Sequence, residues 1–487
     1  MTKQEEKKQV PISFSQLSKL IYNDLEKSTS KSSIIRKYDR DSIIRFLENP
    51  RNSQKQLREL SNFLYITSPH YRRLIQHFAN MLRFDHVVEP YDLNIDKVDM
   101  DKFKKQFDKT AKMIDIMNLP HEMQKSLRIA FKEDVFYGYE HSTDDSYFIQ
   151  RMNPDFCRIS SVEDGIYNYE FDFSFFDNTD NDVELYPIEF QVKYRIYKSQ
   201  SNKTLKRWQE LDGRHTICLK INDEIDYPLP PFSTIFESLY DIEETKRISK
   251  INAKMDNYMI LTQHIPIDEK NGEADKFLID LDTAISFHNK AVESLPDEVG
   301  LVTSPMKIEA IKLERKNNEA DYVAKAEKEF YNATGVSQML FNGDNKSSSS
   351  LNKSIISDEQ IVFSVLRQVE RWVNRKLKYQ NTKYKFKVKL LNTTEYNHQE
   401  VLDSYLKAAQ YGMPVIQELA ATMGISPSAL GSKVFLENDV LKLHEKLTPL
   451  SSSHTQSGKE TPGAPQKNEN DLSDEGQKTI DNDGNDR

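Results

Sequence analysis

The chain has little cysteine. Cys157 and Cys218 are the only two in 487 residues, too few and too far apart for a disulfide framework or a cysteine-rich zinc site, and they fit a reducing compartment. Glycine is also scarce, with 14 residues, and GDNKSS at 343–348 lacks the second glycine of a phosphate-cradling loop. The 11 histidines form neither an HExxH motif nor a cluster at zinc spacing. No apolar run approaches the roughly 20 residues that span a bilayer, and MTKQEEKKQV lacks the apolar centre of a signal peptide. The expectation is a protein that leaves membranes alone and stays in the cytoplasm where it is made. Aromatic residues are missing from Ser451 to Arg487, where Gly, Pro, Asn, Asp and Ser dominate, so this stretch is expected to be a disordered tail.

An excess of positive charge is missing too. The formal net charge is −9, which argues against a protein that clamps nucleic acid over its whole surface. A DNA conduit remains compatible, because each neutralised phosphate adds affinity and therefore drag on sliding DNA. The acidic pairs Asp280, Asp282 and Asp144, Asp145 are of the type that holds Mg²⁺ in a nuclease. With 76 acidic residues in the chain they read as solvated surface. Neither a catalytic set, a cofactor nor a metal is expected.

What is present centres on Lys316 to Tyr379. KNNEADYVAKAEKEFYNATG sets Ala320, Val323, Ala324, Ala326 and Phe330 on one helical face, and Gly335 supplies a left-handed stop. GVSQMLFNGDNKSSSSLNKSI follows as a flexible polar loop, its serines bonding their own backbone instead of continuing a helix. SDEQ from Ser357 to Gln360 is a capping box, and Ile361, Val362, Val365, Leu366, Val369, Trp372, Val373 and Leu377 recur at helical period. The loop has two readings: an ordinary surface connection, or a polyanion contact in which Lys346, Ser347, Ser348, Ser349, Ser350, Asn352 and Lys353 meet phosphates without reading sequence.

At this length about three domains are expected. Ser13–Lys27 and Asp41–Glu48 read as short helices. Leu57, Leu60, Leu64, Tyr65 and then Tyr71, Leu74, Ile75, Phe78, Leu82 form two helical stripes divided at Ser68 and Pro69. Helices follow over Lys102–Met117 and His121–Asp134. From Tyr167 to Phe175 every odd position is aromatic, the period of a half-buried strand. YPIEFQVKYRIY fits strand or helix equally, and 187–198 stays open. HTICLKIND and YKFKVKLL read as strands, Glu243–Thr262 as a helix with Ile248, Ile251, Met255, Tyr258 and Met259 in a stripe, and 396–450 as short helices broken by Gly412, Pro414, Gly424 and Pro427. ATMGISPSALG has the outline of a helix-turn-helix without a basic recognition face.

Several of these phrases, in this order, resemble tailed-bacteriophage portal proteins of the group found in phages of Gram-positive bacteria. They are the Leu-rich helix with a Ser-Pro break before a Tyr-Arg-Arg helix, RMNPDFCRISS with YEFDFSFF, the prolines of DYPLPPF before a helix, GVSQMLFNGDN with its serine-rich loop, the amphipathic helix carrying Glu370 and Trp372, and FLENDVLKLHEKL. The resemblance runs from about Ser53 to Leu450. It implies an α+β, mainly helical, ring-forming subunit: an N-terminal arm at 1–52, a wing at 53–235, a stem helix at 236–262, a clip at 263–307, a second stem helix at 308–335, a tunnel loop at 336–356, a long wing helix and strand at 357–395, a helical crown at 396–450 and the tail at 451–487.

By the same resemblance the subunit forms a twelve-fold homo-oligomeric ring at one capsid vertex of the virion, assembled in the host cytoplasm. Viral double-stranded DNA passes through it without sequence readout. Terminase large subunit docks at the clip, where FLIDLDTAISFHNKAV reads as a helix and ESLPDEVGLVTSP as an exposed strand open to a neighbour; Asp280, Asp282, Glu293, Asp297 and Glu298 are the candidate contacts. Major capsid and scaffold proteins and a head-tail adaptor are the other partners, and catalysis is absent. The alternative class is a metal-dependent nuclease, or a helical adaptor, of a packaging complex.

Overall fold

The computed structural model describes residues 38–143, 145–178, 180–202, 204–257, 259–264, 279–294, 299–304, 319–337, 340, 348–380 and 382–443. The chain divides into two compact units, Met1–Leu430 and Gly431–Arg487. It is α+β and mainly helical, and among the described residues no helix is long and apolar enough to cross a membrane. The described part of the second unit holds the end of the Pro427–Val434 helix and the π-helical Phe435–Val440.

In the first unit the opening helices, Arg40–Glu48, Gln54–Thr67 and Pro69–Ala79, follow their sequence stripes. Ser68 serves two helices: its N–H reaches Leu64 O as one ends, and its hydroxyl accepts from Tyr71 N as the next begins, with Pro69 at the first helical position. Leu57, Leu60, Phe63 and Leu64 of the first face meet Tyr71, Leu74, Ile75 and Phe78 of the second in one buried core. Met100–Met117 and Leu119–Glu133 follow, joined by Asn118 in the left-handed region at φ 45°.

Among the described residues, four small sheets complete the unit. Strand β1 (His86–Tyr91), which the sequence reading passed over, pairs antiparallel with Lys385–Leu390 near the other end of the unit. Strands β2 (Val135–Ser142) and β3 (Tyr147–Arg151) form a hairpin extended by Thr216–Lys220. Gly138 sits at its centre because a Cβ there would lie 2.7 Å from Ile149, Ile217 and Phe136. Strand β5 (Ile166–Asp172) pairs antiparallel with β4 (Cys157–Glu163) on one side and with β6 (Trp208–Glu210) on the other. The strand expected over Tyr167–Phe175 ends at Asp172, where the 3-10 turn Phe173–Asp177 begins; the alternating aromatics build a second core, in which Tyr169, Phe171 and Phe173 pack with Phe176, Tyr186 and Phe190.

The open segment at 187–198 is the helix Ile188–Ser199. Its ambiguity has a physical source. Phe190 and Tyr197 are buried, while Ile188, Val192 and Ile196 form an exposed apolar stripe one turn apart, so two helical stripes superpose into an apparent alternation.

Two helix boundaries and one strand pairing differ from expectation. The helix placed at 243–262 runs Phe236–Asn257, and Met259–His264 (β8) is a strand; MILT is a β-branched, apolar run that suits a sheet once a partner exists. That partner is Val299–Ser304 (β9), so the clip strand expected to be open to a neighbour pairs in parallel within its own chain. A parallel pair needs a long crossover, and the helix Leu281–Ser294 lies within it. Lastly, the helix expected to start at Ser357 starts at Ser348 and runs to Lys378. Ser13–Lys27 and the tail from Ser451 lie outside the described residues.

Candidate functional site

The Ser348–Lys378 helix fixes the surfaces around it. Val362, Val365, Leu366, Val369, Trp372 and Val373 are buried along one face, as the helical period requires. Among them stand polar residues with specific work. The Gln368 amide accepts from Lys220 N at 3.1 Å and donates to Lys220 O at 2.7 Å. The Asn374 amide does the same to Val388, at 2.8 Å for both bonds, and Glu370 accepts from Leu390 N at 2.8 Å. Lys220 belongs to β7 (Thr216–Lys220) and Val388 to β10 (Lys385–Leu390), both outermost in their sheets. A side-chain amide carries the same donor and acceptor pair as a peptide, so two amides of one helix stand where a further strand would pair. Both sheet edges are thereby closed.

Other groups lock the helix against the same sheets. Trp372 Nε1 donates to Thr216 O at 3.1 Å, and the buried Arg375 donates to Asn168 Oδ1 at 2.8 Å and Thr216 O at 3.3 Å. Burial lowers the Arg375 pKa, opposed by the surrounding Tyr379, Glu163, Glu140 and Asp164. Lys376 Nζ reaches the buried Glu140, which also accepts from Tyr147. Near its N-terminal end, Asp358 faces His77 Nε2 at 3.1 Å, and Glu359 accepts from Thr394 at 2.6 Å. Beside this point opens a cleft of about 220 Å³ lined by Arg73, His77, Leu340, Glu395 and Tyr396 among others.

A second anchor stands at the junction of helix and sheet. Asp134 is fully buried and accepts from Lys220 Nζ at 2.5 Å, Asn222 N at 2.8 Å and Leu229 N at 3.1 Å. Burial raises its pKa while Lys220 pulls the other way. Both cysteines are buried thiols in the aromatic core, their pKa values pushed up by burial, which disfavours the reactive thiolate. Among the described residues no group of three His, Cys, Asp or Glu could hold a metal ion.

The sequence-predicted contact residues fall in three places. Ser348, Ser349, Ser350, Asn352 and Lys353, expected in a loop, lie in the first turns of the long helix, with Asn352 and Lys353 exposed. Extending a formed helix costs little per residue compared with starting one, which is how a serine run remains helical. Lys346 and Ser347 lie outside the described residues. On the crossover helix, Asp282 and Glu293 are exposed, as is Asp280 just before it; Asp297, Glu298 and Asp144 are outside the described residues. Gln368, Asn374 and the Asp358–His77 pair were missed. Their one signal is polarity beside or within an apolar stripe, which does not say what they meet.

The outgoing and returning helices, Phe236–Asn257 and Glu319–Thr334, pack on each other, with Lys246 Nζ 3.0 Å from Glu327 Oε1. Glu327 also meets His70 Nε2 at 3.3 Å. Gly335 then ends the returning helix at φ 71°, as its sequence position predicts.

No protein-family model matches the sequence, and no curated protein matches it. Among solved structures, a chain in the virion of a native gene transfer agent particle is similar at 12% identity, covering 85% of this chain and 100% of that one, with a TM-score of 0.39. A chain from the neck of the empty particle gives 12% identity, 82% and 98% coverage and 0.39. One from the neck of the native particle gives 13%, 67% and 89%, and 0.36.

Proposed function

We propose that the chain is a phage portal subunit: a ring-forming, non-enzymatic component of the virion through which DNA is packaged and ejected. The observation that carries the reading is the order of parts between 236 and 378. Two packed helices enclose a strand, a helix and a parallel strand, and a long helix follows. This order matches stem, clip, stem and wing helix in the resemblance from Ser53 to Leu450. In this reading the exposed Asp280, Asp282 and Glu293 face the packaging motor, and Lys346 and Lys353 face DNA.

The test is the mass of the purified full-length protein, with negative-stain imaging. A closed ring of about twelve subunits is expected. A monomer at micromolar concentration in low and high salt, or Mg²⁺-dependent DNA cleavage, overturns the reading. Replacing Lys346 and Lys353 together by Ala is expected to leave ring assembly intact and thermal stability within about 0.5 kcal/mol, while changing the amount of DNA packaged or retained. Phosphate contacts of this kind weaken with salt and ignore sequence. Normally filled heads from the double variant would remove the lysines from the mechanism.

A further inference from the structure

The long helix contains a second starting point inside itself. At Ser357 the residues SDEQ provide a hydroxyl for the cap and a glutamine three positions later to complete the box, yet the helix runs through them from Ser348. Among the described side chains of this helix, polar fastening to other elements begins at this same place, with Asp358 on His77 and Glu359 on Thr394. Before it, at 351–357, no residue is fully buried: Leu351, Ser354 and Ile355 are half-buried, while Asn352, Lys353, Ile356 and Ser357 are exposed. Serine and asparagine are poor helix formers beside alanine. They occupy six of the ten positions from 348 to 357.

We infer that this helix has two N-termini, a long form starting at Ser348 and a short form capped at Ser357, and that residues 348–357 wind and unwind between them without disturbing the rest. In the short form the Ser357 hydroxyl accepts from the backbone N–H of residue 360, and the Gln360 side chain returns to the N–H of Ser357. Asp358 and Glu359 then stand in the first turn, where the helix dipole favours carboxylates. Their bonds to His77 and Thr394 are kept. What is lost is the helical hydrogen bonding of 348–357 and the partial cover of Leu351 and Ile355. The device sets how many of residues 348–357 are unwound ahead of the fastened helix, and it stands whether or not the chain is a portal.

Amide hydrogen exchange on the full chain tests it. Amides of 350–356 are expected to exchange at least about tenfold faster than those of 362–373, with the step at Ser357. Ser357→Ala removes the cap of the short form and improves helix propensity, and is expected to slow exchange at 350–356 about tenfold. Ser354→Ala improves propensity without touching the cap and is expected to slow it about twofold. Ser357→Asp keeps a capping side chain and is expected to stay near the parent rate. Uniform protection from 350 to 373, or equal slowing by Ser354→Ala and Ser357→Ala, overturns the proposal.

Discussion

Residues 348–357 and 358–378 belong to one helix but are held by different forces. The second stretch buries Val362, Val365, Leu366, Val369, Trp372 and Val373, and sends Gln368, Glu370 and Asn374 to two sheet edges. The first has no fully buried residue among those whose side chains are described. Backbone geometry alone therefore says little about stability along a helix. Tertiary burial gives most helices their stability, with propensity a minor share, so the two stretches should respond very differently to substitution.

The largest expected effect is Trp372→Ala, which empties a large buried site and breaks the bond to Thr216. A loss of about 3–5 kcal/mol in urea unfolding is expected; under about 1 kcal/mol would mean that this half is not the anchored one. Next come Asn374→Ala and Gln368→Ala, each leaving a buried N–H and C=O without partners, at about 1–3 kcal/mol apiece. Asn374→Asp sharpens this. It keeps an acceptor for Val388 N but sets a carboxylate oxygen against Val388 O, so it should destabilise at least as much as the alanine variant.

A smaller effect belongs to Asp164 at the solvent side of the anchored half. Lys378 Nζ lies 2.8 Å from its carboxylate and Arg371 Nη1 3.4 Å. The hydrogen bond from Lys378, then its charge, hold the Asp164 pKa below the ordinary carboxylate range. A depressed folded pKa contributes stability above the unfolded value of about 4 that is lost as pH falls through the folded one. Asp164→Asn should thus fall slightly below the parent at pH 6, within about 0.5 kcal/mol for a surface pair, and match it near pH 2. A gap that persists in acid would assign the effect to packing. Smallest of all, Asn352→Ala in the unfastened stretch should leave the global unfolding midpoint unchanged; a shift above about 0.5 kcal/mol would show that 348–357 unfolds with the body.

Helices with one clean stripe were legible in the sequence, as were the Ser68 break, the Gly335 stop and the aromatic strand at β5. Strand β1 was not, because its partner Lys385–Leu390 lies about three hundred residues on and its own HVVEPY is short and contains a proline. Met259–Thr262 reads in sequence as the end of a helix because a short apolar run fits either period. The SDEQ box at Ser357 reads in sequence as a helix start, but the helix runs through it from Ser348. Contact residues proposed at Lys346, Ser347, Asp297 and Glu298 are outside the described residues, and those at Asn352, Lys353, Asp280, Asp282 and Glu293 are exposed.

By itself the sequence determined the mainly helical α+β class, the faces that turn inward and several of the turns, since these follow from local period, capping and backbone stereochemistry. Only the tertiary structure decided which strands pair, where the long helix starts, and that Gln368 and Asn374 stand in for missing strands. The reason is physical: a polar side chain advertises its donors and acceptors in sequence, but the backbone groups it must satisfy are set by segments far along the chain that meet it only on folding.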